Sequence, residues 1–339
     1  MKKVPVFVGL DYHQDSVQVC VLDQAGQVLA NRKCANDWRE VARAGERCGK
    51  VVRAGIEACT GSANLADQLT AHAKWMVDVA HPGYVRRMRG NPDKTDYSDA
   101  RMLADLQRVG YLPKVWLAPE EIRELRRLVR YRQQLADMRR NTKLRVSALL
   151  RDHRLGRGPG SRWTKPWRAW LKVQEFPEHS RWIIDKHVLR IGSLDEEIID
   201  VEKRLEDLAA KDAMIQQLRT KPGIGPVTAW TIRAEIGRFD RFRSGKQLSR
   251  FCGLSPRNAS SGARQADAGL IQAGNRQLRA VLMQAAHRLM RTEKRWADFA
   301  CRLLDEGKPK CVVVTAVANR WMRWLYHQMI TPAPAANAA

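Results

Sequence analysis

The stretch Val4–Asp23, VPVFVGLDYHQDSVQVCVLD, decides how this chain is read. Val4–Tyr12 is a short apolar run that ends on an acid, and Ser16–Asp23 alternates with β-branched residues; both patterns predict strands. Gln24-Ala25-Gly26 turns the chain into a third strand over Gln27–Cys34, which makes an antiparallel meander of three. Working outward, Asn36-Asp37 caps a helix over Trp38–Cys48, and Val51–Ala58 (VVRAGIEA) is a further strand. A helix over Asn64–Ala73 and a strand over Trp75–Ala80 follow, leading to His81-Pro82-Gly83.

The order β-β-β-α-β-α-β, with the first three strands hairpin-joined, predicts an α/β RNase H-like domain over residues 1–118. Pro119 then opens a long helix, Glu120–His153. Gly156–Trp170 (GRGPGSRWTKPWRAW) breaks it, and a second long helix covers Ser180–Thr220. Val188, Ile191, Leu194, Ile198, Val201, Leu205 and Leu208 step along it by threes and fours, which predicts a coiled coil within the chain or between protomers. Residues 119–217 therefore read as a helical coiled-coil connector. Residues 218–330 read as a mainly α C-terminal domain ending in a helix over Val312–Ile330, and 331–339 (TPAPAANAA) as a disordered tail.

Sixty Lys and Arg against 36 Asp and Glu leave a formal charge of +24. An excess of that size calls for a polyanionic partner, because neutralising phosphates releases condensed counterions. No segment approaches the roughly 20 apolar residues of a membrane span, and Asp11 interrupts the apolar start. The seven scattered cysteines form no CxxC pair and read as reduced core residues of a cytoplasmic protein.

Four acids stand out. Asp11 ends the first strand and Glu57 the fourth, which are neighbours in an RNase H-like sheet. Asp96 and Asp99, in Lys94-Thr95-Asp96-Tyr97-Ser98-Asp99-Ala100, open a helix and share one of its faces. Four converging carboxylates repel unless divalent cations sit among them, and oxygen-only ligands favour Mg²⁺ or Mn²⁺ for phosphoryl transfer. Taken singly, each acid is equally a turn or cap residue. The histidines at 13, 72, 81, 153 and 187 lack metal spacing and read as structural.

Further on, Pro222-Gly223-Ile224-Gly225-Pro226 has the Gly-apolar-Gly turn of a helix-hairpin-helix, in which Gly223 and Gly225 would let amides approach a phosphate. The alternative is a tight turn packing protein on protein. Phe251–Gly262 (FCGLSPRNASSG) sets Ser260 and Ser261 before a glycine, among Arg257, Arg264, Arg276 and Arg279. That arrangement could supply a nucleophile and charge stabilisation for a phosphodiester, although such serine loops are common. Residues 121–168 carry fifteen Lys or Arg against four acids, Arg139 and Arg140 among them. With Trp163 and Trp167 in the break, they predict phosphate pairing and base stacking.

These stretches together resemble the DEDD transposases of IS-one-ten-type insertion sequences, relatives of the Piv invertases that include bridge-RNA-guided recombinases. The matching residues are Val8-Gly9-Leu10-Asp11, Glu57 with Thr60-Gly61, Lys94–Ala100, Pro222–Gly225, Gly253–Arg257 with Ser261-Gly262, and Gly274–Arg279. The resemblance implies a RuvC-like domain, a coiled-coil connector and a transposase domain. It implies that Asp11, Glu57, Asp96 and Asp99 bind Mg²⁺, and that Ser261, or its neighbour Ser260, attacks DNA to form a covalent phosphoserine. It implies as partners element and target DNA, a structured guide RNA and further copies of the chain as a dimer or tetramer, in a nucleoid-associated prokaryotic setting. Tyr12-His13 follows Asp11 where smaller or basic residues are commoner. Two other readings stand beside this one. The first is a RuvC-like nuclease or junction resolvase with no covalent intermediate, and the second a non-enzymatic nucleic-acid binder.

Overall fold

The computed structural model describes residues 4–88, 95–258, 267–271 and 273–330, in two compact units, Met1–Ala118 and Pro119–Ala339.

In the first unit, β1 (Pro5–Tyr12), β2 (Ser16–Leu22) and β3 (Val28–Ala35) form the expected meander. After α1 (Trp38–Glu46), β4 (Lys50–Glu57) returns parallel to β1; α2 (Ser62–His72) then leads to β5 (Val77–Ala80), parallel to β4. Three elements complete the unit: α3 (Pro82–Met88), α4 (Asp96–Arg108) and a short β6 (Lys114–Val115) against β5. The sheet runs β3-β2-β1-β4-β5-β6. Sequence patterning missed α3 and β6, one too short and the other too polar to show a period. It also placed Trp75 in a strand. Trp75 is instead a buried plug before β5, its indole N–H donating to Glu46 at 3.1 Å.

Strand alternation sorts β1 into two faces. Val6, Val8 and Leu10 pack with Val19, Val21, Val41, Leu65 and Leu69 into the core under α1 and α2. The other face carries Gly9, paired in register with Gly55 of β4. A Cβ on Gly9 would stand 2.0 Å from the Ala100 carbonyl oxygen and 2.4 Å from the Ala104 nitrogen. The glycine therefore lets the α4 backbone lie directly on the strand, and Ala100 and Ala104 pack against Cys20 and Leu22.

The second unit begins with α5 (Glu120–Asp152), α6 (Lys165–Lys172) and α7 (Glu178–Ala209). The α5–α7 pairing is antiparallel and within the chain: Arg132 meets Glu202 and Arg139 meets Asp195, each at 2.6 Å. Its seam on α7 is Ile184, Ile191, Ile198 and Leu205, every seventh residue, with Leu194 and Val201 between them. Leu208, expected in the seam, is exposed, and Ala209 takes the buried place. The helix expected to reach Thr220 stops because Asp212 caps a new one, α8 (Ala213–Arg219), accepting from the Met214 and Ile215 amides. Nor is the Gly/Pro/Trp segment merely a break. Trp167, in α6, is fully buried with Val146, Leu150, Leu171 and Ile184, and its indole N–H donates to the Arg157 carbonyl at 2.9 Å. A ring so enclosed cannot stack on a base.

The remaining elements are α9 (Pro226–Ile236), α10 (Gly245–Phe251), a hairpin of β7 (Pro256–Asn258) and β8 (Asp267–Leu270), α11 (Arg276–Thr292), α12 (Lys294–Asp305) and α13 (Lys310–Ile330). The hairpin was not foreseen. All seven cysteines are free. Burial raises the thiol of Cys20 to about 12, and that of Cys252 further. Cys59, Cys301 and Cys311 are exposed, so the core reading fails for those three. Among the described residues no helix is long and apolar enough to cross a membrane.

Candidate active site

The Gly9–Gly55 pair positions the acids. Two residues beyond each glycine, on the same face and at the C-terminal strand ends, come Asp11 and Glu57. The start of α4 is fixed by a reciprocal cap: Thr95 Oγ1 accepts from the Ser98 amide and Ser98 Oγ from the Thr95 amide. Asp96 is thus the first helical residue and Asp99 lies about one turn further on. Asp99 is almost completely buried; Glu57 is half-buried. The charges of Asp11 and Glu57 converge on Cys59, whose thiol is raised first by burial, lowered by hydrogen bonds with Ser62, and raised again by both carboxylates.

A residue assigned a structural role from sequence joins them. His13 Nε2 lies 3.4 Å from Asp11 Oδ2 and 3.3 Å from Asp96 Oδ1. One donor atom from each of these three residues falls within 4.8 Å of the others. The signal was the Asp11-x-His13 spacing, since period two extends the face of a strand past its end. Three of the other histidines make structural contacts: His72 stacks on Trp38 at 4.7 Å, His81 accepts from the Gly83 amide, and His153 bonds Ser180. Two carboxylate oxygens and an imidazole nitrogen at this separation are a donor set that fits a divalent cation.

In the second unit the expected nucleophiles Ser261 and Ser260, with Arg264, lie outside the described residues. The β7–β8 hairpin has a described base. Gly253 takes φ +71°, and a Cβ on Gly274 would stand 2.2 Å from its Cα. Arg279 donates to the Ile271 carbonyl at 3.0 Å, and Ile271 in turn donates its amide to Ser255. Asn275 caps α11 by accepting from the Leu278 amide, and donates to the buried Glu235 at 2.7 Å. Arg130 grips Glu235 through two bonds of 2.9 and 3.0 Å. Hence Arg279, expected at nucleic acid, is a brace of this hairpin, whereas Arg257 and Arg276 are exposed.

The Gly223–Gly225 turn divides between its two readings. Gly223, at φ +81°, has no room for a Cβ because Leu289 of α11 fills the place, which is protein packing. Gly225 faces open space at the start of α9. On α5, Arg139 is held by Asp195, while Arg140 points outward beside Asp137 at 3.1 Å. Sequence reading missed a groove of about 840 Å³ along α12 and α13, whose lining includes Arg295, Phe299, Arg302, Arg320, Arg323 and Trp324.

Comparison with known proteins agrees with these motifs. Residues 8–154 match the DEDD Tnp IS110 family, described as a transposase, and residues 215–301 match the family described as Transposase IS116/IS110/IS902. The y4qE protein of Sinorhizobium fredii is 32% identical over 199 residues, covering 58% of this chain but only 48% of that protein. The transposase for insertion sequence element IS1111A of Coxiella burnetii is 26% identical over 302 residues, covering 88% of this chain and 81% of the relative. The transposase for IS1328 of Yersinia enterocolitica is 23% identical, covering 79% of each. With one family match on the acid-bearing unit and the other on the glycine and serine motifs, the chain belongs to the IS110-type DEDD transposases.

Proposed function

We propose that this protein cuts and rejoins DNA at the ends of an insertion sequence. The observation that carries the proposal is the convergence of Asp11, His13 and Asp96 at the C-terminal edge of the sheet, in a chain of charge +24. On this reading the first unit is RuvC-like. Asp11 and Asp96, with Glu57 and Asp99 from the same face, hold one or two ions, Mg²⁺ or Mn²⁺. A bound ion supplies positive charge to a phosphate under attack.

Ser261 then supplies the nucleophile. Its hydroxyl oxygen forms a bond to phosphorus, the bond to the leaving strand oxygen breaks, and the serine proton ends on that oxygen. The resulting phosphoserine keeps the energy of the phosphodiester, so a strand hydroxyl can reverse the exchange and rejoin DNA. Exposed Arg257 and Arg276, the open Gly225 turn and the arginine groove of α12 and α13 offer phosphate contacts. A structured guide RNA is proposed as the second nucleic acid. Exposed apolar residues on α7, Trp182, Leu189 and Ile199, support a homo-oligomer built through the helical pair.

A hydrolytic nuclease is the second reading, favoured by an acidic cluster that needs no serine for metal-dependent cleavage. One experiment separates them. Protein, Mg²⁺, element-junction DNA and the RNA of the element's noncoding end are mixed and denatured, and covalent adducts are sought. The adduct is expected with the wild type and absent from both Ser261→Ala and Asp11→Asn. Cleavage that continues in Ser261→Ala without any adduct establishes the hydrolytic reading instead.

A further inference from the structure

His13 is an exposed residue in the turn after β1. Its side chain is 44% exposed, yet Nε2 lies between two carboxylates, 3.4 Å from Asp11 and 3.3 Å from Asp96. Its backbone is fixed at both polar groups: the amide donates to the Ser16 carbonyl at 2.9 Å, and the carbonyl accepts from Asn36 Nδ2 at 3.1 Å. The ring is therefore presented from a pinned turn. An N–H···O bond prefers about 2.7–3.2 Å, which both separations exceed. They resemble the spacing of adjacent ligands on a common ion, about 3 Å when bonds of about 2.1 Å meet at right angles.

We propose that His13 is itself a metal ligand, through Nε2, and that it shifts the preference of the centre from Mg²⁺ toward Mn²⁺. The proposal rests on the reading of Asp11 and Asp96 as metal ligands. Its physical basis is the donor set. Mg²⁺ is a hard ion that favours oxygen and retains water, whereas imidazole nitrogen suits the later, softer divalent ions, Mn²⁺ being the first of that order. Replacing one oxygen donor or water by an imidazole thus costs Mg²⁺ more than it costs Mn²⁺. An all-carboxylate cluster has no such bias.

The test uses the full chain with Mn²⁺ as the probe. Electron spin-echo spectra of the Mn²⁺-loaded protein should carry the modulation of a coordinated ¹⁴N, and it should change when the histidines are ¹⁵N-labelled. His13→Gln should abolish it, and calorimetry should show the ratio of Mn²⁺ to Mg²⁺ affinity falling by on the order of tenfold. Because the side chain is exposed, a folded variant is expected, checked by circular dichroism; the isotope arm needs no variant. Mn²⁺ binding that depends on Asp11 but shows no nitrogen modulation overturns the role of His13 alone. An unchanged affinity ratio in His13→Gln does the same. If Asp11→Asn leaves Mn²⁺ binding intact, the metal centre itself has been misread and both conclusions fall.

Discussion

Each unit places its chemistry with a pair of glycines, and the two pairs work differently. In the first unit Gly9 and Gly55 lie side by side on parallel strands and form a floor on which α4 rests. In the second, Gly253 and Gly274 meet backbone to backbone at the foot of a hairpin. The floor fixes side chains that leave regular elements, the ends of two strands and the first turn of a helix. The foot fixes where the β7–β8 hairpin leaves α10 and returns to α11. Rigid elements thus present the proposed metal ligands, while the hairpin of the second unit hangs from a braced turn.

Gly9→Ala is the harshest way to break that comparison. The new methyl would collide with the α4 backbone, and overpacking of this kind costs about 3 kcal/mol. Urea unfolding should register the loss, and calorimetry should find Asp11-dependent metal binding gone. Gly274→Ala should cost less, about 2 kcal/mol, because a turn can shift further than a helix on a sheet. Metal binding should survive there while covalent adduct formation fails. If Gly274→Ala instead abolishes metal binding, the two placements are not independent.

The smallest effect sharpens the first unit alone. Burial would raise the Asp78 carboxyl, but hydrogen bonds from Lys114, Gln107 and Arg53 outweigh it and hold the group below its usual 3.8. A carboxyl lowered by folding stabilises the fold above its unfolded value, and that contribution is lost as pH falls through the folded one. Half-exposed partners limit its size to about 1 kcal/mol. The stability of Asp78→Asn should therefore fall short of the wild type above about pH 4 and converge on it as the pH is lowered further. A constant difference across that range would refute the assignment.

Much of the first unit was legible because its strands announce themselves by period two, and the acids stand where those periods end. Glu57 could be placed beside Asp11 once β4 was recognised as the neighbour of β1. His13 escaped because the Asp11-x-His13 spacing names only two ligands, and only the fold brings Asp96 to them. In the second unit the signals were ambiguous in a particular way. Gly223 and Trp167 belong to residue types that also contact nucleic acid, yet Leu289 packs against the first and the α5–α7 tip buries the second. Arg279 looked like a phosphate ligand until a carbonyl claimed it. Charge in a sequence does not reveal which guanidiniums already have partners.

The every-seventh seam of Ile184, Ile191, Ile198 and Leu205 makes the helical pair a modular arm. α5 is 33 residues long, about 50 Å, which equals the rise of about fifteen base pairs. Removing seven residues from α7 and seven from the facing part of α5 returns each helix nearly to the same rotation. The isoleucines then keep their face of α7, and the arm is shorter by about 10 Å, or three base pairs. The repeat gives this arm a discrete unit of length, one in which a reach can be adjusted without redesigning the packing.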